Sequence, residues 1–452
     1  MLKINRLMPV SFLIMLLQSP LKLVKSLASI AKAVFGKAFP AQSAVSLPAQ
    51  WDGNHLKHTP ELDGIRGYAC LSVLIVHCLT GIIQLPNHAW IMGFRSHTMW
   101  LLLSGVDLFF VLSGFLIGGI LLDSKNDPNY FKIFWIKRVT RIFPVAYLML
   151  ATYAAALFIT NHFHITRFDN WLLAEYRPPL WTFATFTQSF PIAAHGYGGP
   201  RWMAMSWSLA IEDQFYLLFP LAVYFMSRRK LVVLVISCLV MAPVLRDLFE
   251  RIFGDWYASY VLLPSRADGI MYGVALALIL RNKTAFTLAS RYRLLLDLVA
   301  LCFLYLTVTN WSFSWWTGPS GAIFPLKQSM LSLMWAVVIL RIYTHKDSRL
   351  NTLWRHSILA KFGMISYGLY MFHQAINGLI HGIFFSQEPV ISSSSQLLAA
   401  LAVMTISIGL ATVSFIYFER PIQRYGRALV SKVKLSQEKL YSTNDVAYSP
   451  SK

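Results

Sequence analysis

From about residue 60 onward the chain is a succession of long apolar runs separated by short polar connections. The runs fall near 65–84, 98–122, 142–160, 206–226, 231–248, 262–280, 294–310, 324–343, 358–382 and 396–418. Most approach the roughly 20 apolar residues a helix needs to cross a bilayer. The predicted fold class is therefore all-α, a polytopic transmembrane helical bundle of about ten spans. Before the first run, residues 8–17 are apolar but too short to span, and a signal peptide would need a cleavage site ahead of the first true span. From 21 to 37, Leu21, Val24, Leu27, Ala31, Val34 and Phe35 follow helical spacing among Lys22, Lys25, Lys32 and Lys37. That pattern predicts a basic amphipathic helix lying on a membrane surface. Residues 38–60 read as a linker, so the expected organisation is an extension over 1–60, a membrane domain over 61–422 and a polar tail over 423–452, too short for a second catalytic domain.

Composition agrees with a membrane protein. The 452 residues are 56% hydrophobic and only 13% charged, against about 25% charged in soluble domains. The four cysteines, Cys70, Cys78, Cys238 and Cys302, lie within apolar runs, without a paired framework or metal-type spacing. No metal is part of the reading.

The net charge of +20 would suit a nucleic-acid binder, but its placement gives another meaning. Lys125, Lys132, Lys137, Arg138 and Arg141 lie between the second and third runs, and Arg228, Arg229 and Lys230 fill a later turn of the same sign. Arg281, Lys283, Arg291 and Arg293 follow, then Arg341, Lys346, Arg349, Arg355 and Lys361, and the tail adds further Lys and Arg. The intervening connections 311–323 and 383–395 contain no Lys or Arg. This is the positive-inside pattern, and it puts both termini in the cytoplasm. Segment 171–190 is fairly apolar, yet Arg177-Pro178-Pro179 interrupts it, and counting it as a span would invert every later loop. It is read as an external re-entrant or interfacial element.

Ionisable groups within membrane spans carry the candidate chemistry. Arg66 and His77 are eleven residues apart, three turns plus about 20°, so they share one helical face about 16 Å apart along the axis. Asp63 falls on nearly the same face. Glu212 enters the fourth run with Tyr216 one turn further on, and Arg138 and Arg141 are i, i+3 neighbours before the third.

Several of these residues sit in motifs that resemble the acyltransferase-3 family of integral membrane O-acyltransferases, over roughly residues 60–422. Leu62-Asp63-Gly64-Ile65-Arg66-Gly67 with His77 matches the family's Arg-x10-His signature. Leu108-Phe109-Phe110-Val111-Leu112-Ser113-Gly114-Phe115, Arg138-x-x-Arg141 and Ser206-Trp207-Ser208-Leu209-Ala210-Ile211-Glu212 follow in family order. Ile365-Ser366-Tyr367-Gly368-Leu369-Tyr370-Met371-Phe372-His373 and Glu419-Arg420-Pro421 complete the set. The resemblance implies transfer of an acyl group from acyl-CoA, most simply acetyl-CoA, to a hydroxyl of a cell-envelope carbohydrate, in the inner or plasma membrane. No bound cofactor is implied; acyl-CoA enters as co-substrate.

Each residue keeps a structural reading beside the functional one. His77 is a general base or acyl carrier by the resemblance, and otherwise a packing histidine. Arg66 contacts the donor or snorkels to the interface, with Asp63 fixing its fork. Arg138 and Arg141 suit the phosphates of coenzyme A, though the topology rule alone puts arginines there. Glu212 pairs a buried cation or places the acceptor, while Asp213 beside it is expected to face water. Arg266 and Asp268 either neutralise one another or touch the acceptor. Tyr370 and His373 line the site or pack helices. No triad partner flanks Ser113, and the Ser113-Gly114 and Gly118-Gly119 pairs read as close helix contacts. Trp171, Trp181, Trp202, Tyr197 and His195 suit a sugar face or an interfacial aromatic belt equally. The rivals are a secondary transporter using the same buried charges, against which the lack of an internal repeat counts, and acyl transfer to a lipid or small-molecule hydroxyl.

Overall fold

The computed structural model describes residues 59–84, 89–165, 172–173, 176–196, 199–308, 324–344 and 349–447. The expected amphipathic helix 21–37, Trp171, Tyr197 and the connection 311–323 lie outside them. The described long helices are α1 Pro60–Cys78, α2 Ala89–Leu103, α3 Gly105–Asp123, α4 Tyr130–His162, α5 Ser206–Phe225 and α6 Arg228–Phe253. They continue with α7 Leu263–Leu280, α8 Arg293–Val308, α9 Phe324–Thr344, α10 Ser357–Phe385, α11 Ser394–Ser414 and α12 Arg420–Ala447. No strand occurs among the described residues; Ile83 and Ile391 form a lone bridge.

The fold is all-α, and each expected apolar run is mainly helical over its described residues. Seven segments are long and apolar enough to cross a membrane by length and composition. Of the other expected spans, α8 is shorter, while α5 carries Glu212, Asp213 and Gln214 and α10 carries His373, Gln374, Asn377 and His381. α5 and α10 fall short through these polar residues, and both contribute side chains to the candidate site. Between α4 and α5 the described residues form only short helical turns, Leu180–Ala184, Ser189–His195 and Arg201–Met203. The polar tail continues as α12, packed against α4 with Gly426 on Thr140.

Glycine sets the two tightest helix pairs. α1 and α10 run parallel, with Asp63 level with Gly363, Cys70 with Ser366 and His77 with His373. A Cβ on Gly67 would stand 1.9 Å from the Leu359 carbonyl oxygen, and one on Gly363 would stand 2.1 Å from that of Asp63. α3 and α7 pair the same way: a Cβ on Gly114 would stand 1.8 Å from the Ile270 carbonyl, and one on Gly273 2.0 Å from that of Val111. Without hydrophobic drive between helices in lipid, backbone approach of this kind maximises dispersion contact. Phe110, Phe115, Ile65, Leu74 and Phe362 fill the interior, whereas Leu217, Leu221, Val233, Ile236, Val240, Leu294 and Leu298 point outward as an apolar belt.

Candidate active site

The parallel α1–α10 pair brings two histidines from distant parts of the chain into contact. His77 Nδ1 lies 3.0 Å from His373 Nε2, with the ring planes within 15° of parallel. His373 Nδ1 lies 3.0 Å from the Leu369 carbonyl oxygen. A carbonyl only accepts, so His373 carries its hydrogen on Nδ1 and, as a neutral ring, accepts at Nε2. His77 must then donate from Nδ1, which leaves a lone pair on its Nε2. Asn377, one turn beyond His373, donates from Nδ2 to the His77 backbone carbonyl at 2.9 Å. His373 and Asn377 are fully buried while His77 is half-buried. The arrangement holds one nitrogen of His77 and frees the other.

A second cluster forms where α1, α3, α4 and α5 meet. Glu212 accepts from Ser113 Oγ at 2.7 Å and from the Tyr216 hydroxyl at 3.1 Å. Arg138 stands over the Tyr216 ring, 5.6 Å from its centroid, and its buried Nε has no partner. Arg66 bonds Asp63 at 3.3 Å and lies within electrostatic reach of Arg138, Arg141 and Tyr216. Three guanidinium groups therefore converge, with the carboxylates of Asp63, Glu212, Asp213 and Glu419 within electrostatic reach of one or another of them. Helix α4 begins at Tyr130, so Arg138 and Arg141 project from a continuous helix rather than from a loop at its mouth. Tyr370 bonds Ser208 Oγ at 2.6 Å and packs beside both Phe109 and His373, linking this cluster to the histidine pair.

Arg266 and Asp268 are not each other's partners. Arg266 pairs with Asp107 at 2.7 Å and Asp268 with Arg246 at 2.8 Å, Ser329 Oγ donating to the same carboxylate. All four charged groups are buried, and two residues apart on α7 Arg266 and Asp268 project to different neighbours, as helical geometry requires. Asp213 was expected to face water, yet its Oδ2 is buried without a partner. Ser113 does more than allow close packing, since it holds Glu212. Trp181 is exposed, and Trp202 packs against the core with its indole N–H unpartnered. The described cysteines are free.

A family model described as "Acyltransferase domain" matches residues 59–416. The chain belongs to this acyltransferase family. Among curated relatives, a Bacillus subtilis (strain 168) protein provisionally named peptidoglycan O-acetyltransferase YrhL is 29% identical over 87% of this chain and 59% of its own length. The peptidoglycan O-acetyltransferase OatA of Listeria monocytogenes is 26% identical over 82% of this chain and 56% of its own. A Staphylococcus aureus (strain COL) protein provisionally named an O-acetyltransferase is 25% identical over 82% and 58%. The chain thus spans under three fifths of the length of these relatives. No solved structure matches.

In this acyltransferase family member the structure joins His77 to His373, brings Arg66 within reach of Asp63, Arg138, Arg141 and Tyr216, and brings Arg138 within reach of Glu212. It places Arg266 and Asp268 in two interior ion pairs whose charges act on one another. Sequence reasoning missed Asp107 and Arg246, although each is an ionisable residue inside an apolar run and so carried the same signal as Glu212. It gave no role to Asn377, whose only mark is a spacing of four residues from His373, or to Ser208, which stands in the quoted motif four residues before Glu212.

Proposed function

We propose that this protein is an integral membrane O-acyltransferase that moves an acetyl group from acyl-CoA to a hydroxyl of a cell-envelope carbohydrate. The observation that carries the reading is the oriented His77–His373 pair, with its free Nε2 on the face that also bears Arg66. The family and the relatives' names support O-acetyl transfer and a peptidoglycan-like acceptor. Arg66, Arg138 and Arg141 bind the donor phosphates, because guanidinium forks match phosphate oxygens. The pantetheine arm of the donor then runs along α1 for the three turns, about 16 Å, that separate Arg66 from His77. The acceptor hydroxyl gives its proton to His77 Nε2 as its oxygen attacks the thioester carbonyl. The carbon–sulfur bond breaks and the CoA thiolate leaves. Positive charge forming on His77 is shared through Nδ1–H with His373. Glu212, fixed by Ser113 and Tyr216, sets the arginines and balances their charge.

The charge asymmetry of the connections supports a donor that docks from the cytoplasm and an acceptor that meets His77 from the opposite side. The test is a proteoliposome with labelled acetyl-CoA on one face and glycan strands on the other. Label on the glycan together with release of CoA thiol supports the reading. Uptake of acetyl-CoA or glycan without acetylation supports a transporter instead.

A further inference from the structure

Beyond His77, away from Arg66, α10 continues with Asn377 and His381, one and two turns past His373. Spacing of four residues keeps all three side chains on one face of the helix. His381 is fully buried, yet neither ring nitrogen has a hydrogen-bond partner. Asn377 spends its amide N–H on the His77 carbonyl, and its Oδ1 is likewise buried and unpartnered. Arg201, from the short turn packed on this end of α10, pairs with Glu388 at 3.0 Å and bears electrostatically on both His77 and His381. Buried polar groups are almost always satisfied, because an unmet one forfeits its hydration without return. Three unmet atoms along one helical face, starting at the residue bonded to the His77 backbone carbonyl and ending within electrostatic reach of Arg201, mark a place where a polar ligand completes the structure.

We propose that Asn377 Oδ1 and the His381 ring form an acceptor subsite, which seats a carbohydrate so that its reacting hydroxyl reaches His77 Nε2. This rests on the acyltransferase reading above. The chemistry of the orphaned atoms selects the ligand. A neutral imidazole offers one donor and one acceptor, which a sugar hydroxyl can match in either tautomer. Asn377 Oδ1 accepts from a second hydroxyl or from an acetamido N–H. An aliphatic lipid tail satisfies neither, and a phosphate, being acceptor-only when ionised, leaves Asn377 Oδ1 unmet. Arg201, at the outer rim, contributes charge toward an acidic substituent of the glycan.

The test compares wild type, His381→Phe and His381→Gln as full-length, monodisperse protein in detergent. Three quantities are measured: KM for muramidase-released glycan strands, KM for acetyl-CoA, and acetyl-CoA hydrolysis without glycan. Phe keeps the ring's bulk and removes its hydrogen bonds, so the glycan KM rises about tenfold, while acetyl-CoA KM and glycan-free hydrolysis stay as in wild type. Gln restores hydrogen bonding and recovers part of the glycan affinity. An unchanged glycan KM in folded His381→Phe, or an equal loss in glycan-free hydrolysis, overturns the subsite. Wild type that hydrolyses acetyl-CoA but never acetylates glycan overturns the carbohydrate subsite alone. Wild type that neither hydrolyses nor transfers removes the acyltransferase reading and the subsite with it.

Discussion

The orientation of His77 depends on one hydrogen bond, and His373→Phe removes it while keeping a planar ring in the same space. In the wild type, His77 Nδ1–H donates to His373 Nε2 at 3.0 Å, and the Leu369 carbonyl fixes His373 from its other side. Phenylalanine leaves that N–H facing an apolar ring, which costs about 1–3 kcal/mol for an unmet buried donor. His77 escapes the penalty by shifting its hydrogen to Nε2, which blocks the reacting nitrogen. Either way the expected loss in kcat is about 5- to 150-fold. The acetyl-CoA KM stays put, because Arg66, Arg138 and Arg141 are untouched. His373→Gln, whose amide oxygen can accept from Nδ1, retains more activity than His373→Phe. The assay is thiol release from acetyl-CoA under saturating donor and glycan, on protein whose melting temperature matches wild type. Wild-type turnover in His373→Phe would refute the orienting role. A loss as complete as that of His77→Ala would instead make His373 the reacting base.

Other consequences follow from packing and charge. Gly67→Ala puts a methyl 1.9 Å from the Leu359 carbonyl, so it forces α1 and α10 apart and costs about 1–3 kcal/mol, read as a lower melting temperature in detergent. Gly409→Ala, where no atom lies within 4 Å of the added Cβ, is neutral or slightly stabilising; equal melting shifts in the two variants would contradict the close-packed pair. Arg246→Leu strands the buried Asp268 carboxylate and costs about 3–5 kcal/mol, part of which Arg246→Leu/Asp268→Asn recovers. Arg138→Ala raises the acetyl-CoA KM about tenfold or more through loss of a charged phosphate contact, leaving the glycan KM unchanged; a rise confined to glycan would place Arg138 on the acceptor side.

Long apolar runs made the helices legible, because the bilayer demands the same length and composition of every ordinary span. The exceptions are instructive. α5 and α10 were recognised as runs, yet their polar residues keep them off the set that length and composition pick out, and two of those residues, Glu212 and His373, partner Ser113 and His77 in the candidate site. Arg66 and His77 could be related from the sequence because they share one helix. The partnership of His77 with His373 could not, since it depends on the parallel register of α1 and α10, and that register is set by Gly67 and Gly363 meeting backbone carbonyls of the other helix. Helical spacing alone gives no such cross-helix information. The same limit explains Arg266 and Asp268: their charges do act on one another, as nearness in sequence suggested, but their hydrogen-bonded partners Asp107 and Arg246 come from α3 and α6.

The most direct test of the central claim follows radiolabel from acetyl-CoA into peptidoglycan strands, with wild-type protein and with His77→Ala, both folded and monodisperse in detergent. The account predicts labelled glycan and stoichiometric CoA thiol from wild type, and neither above background from His77→Ala. Equal labelling by the two proteins would contradict it, because the free Nε2 of His77 would then play no part in the transfer.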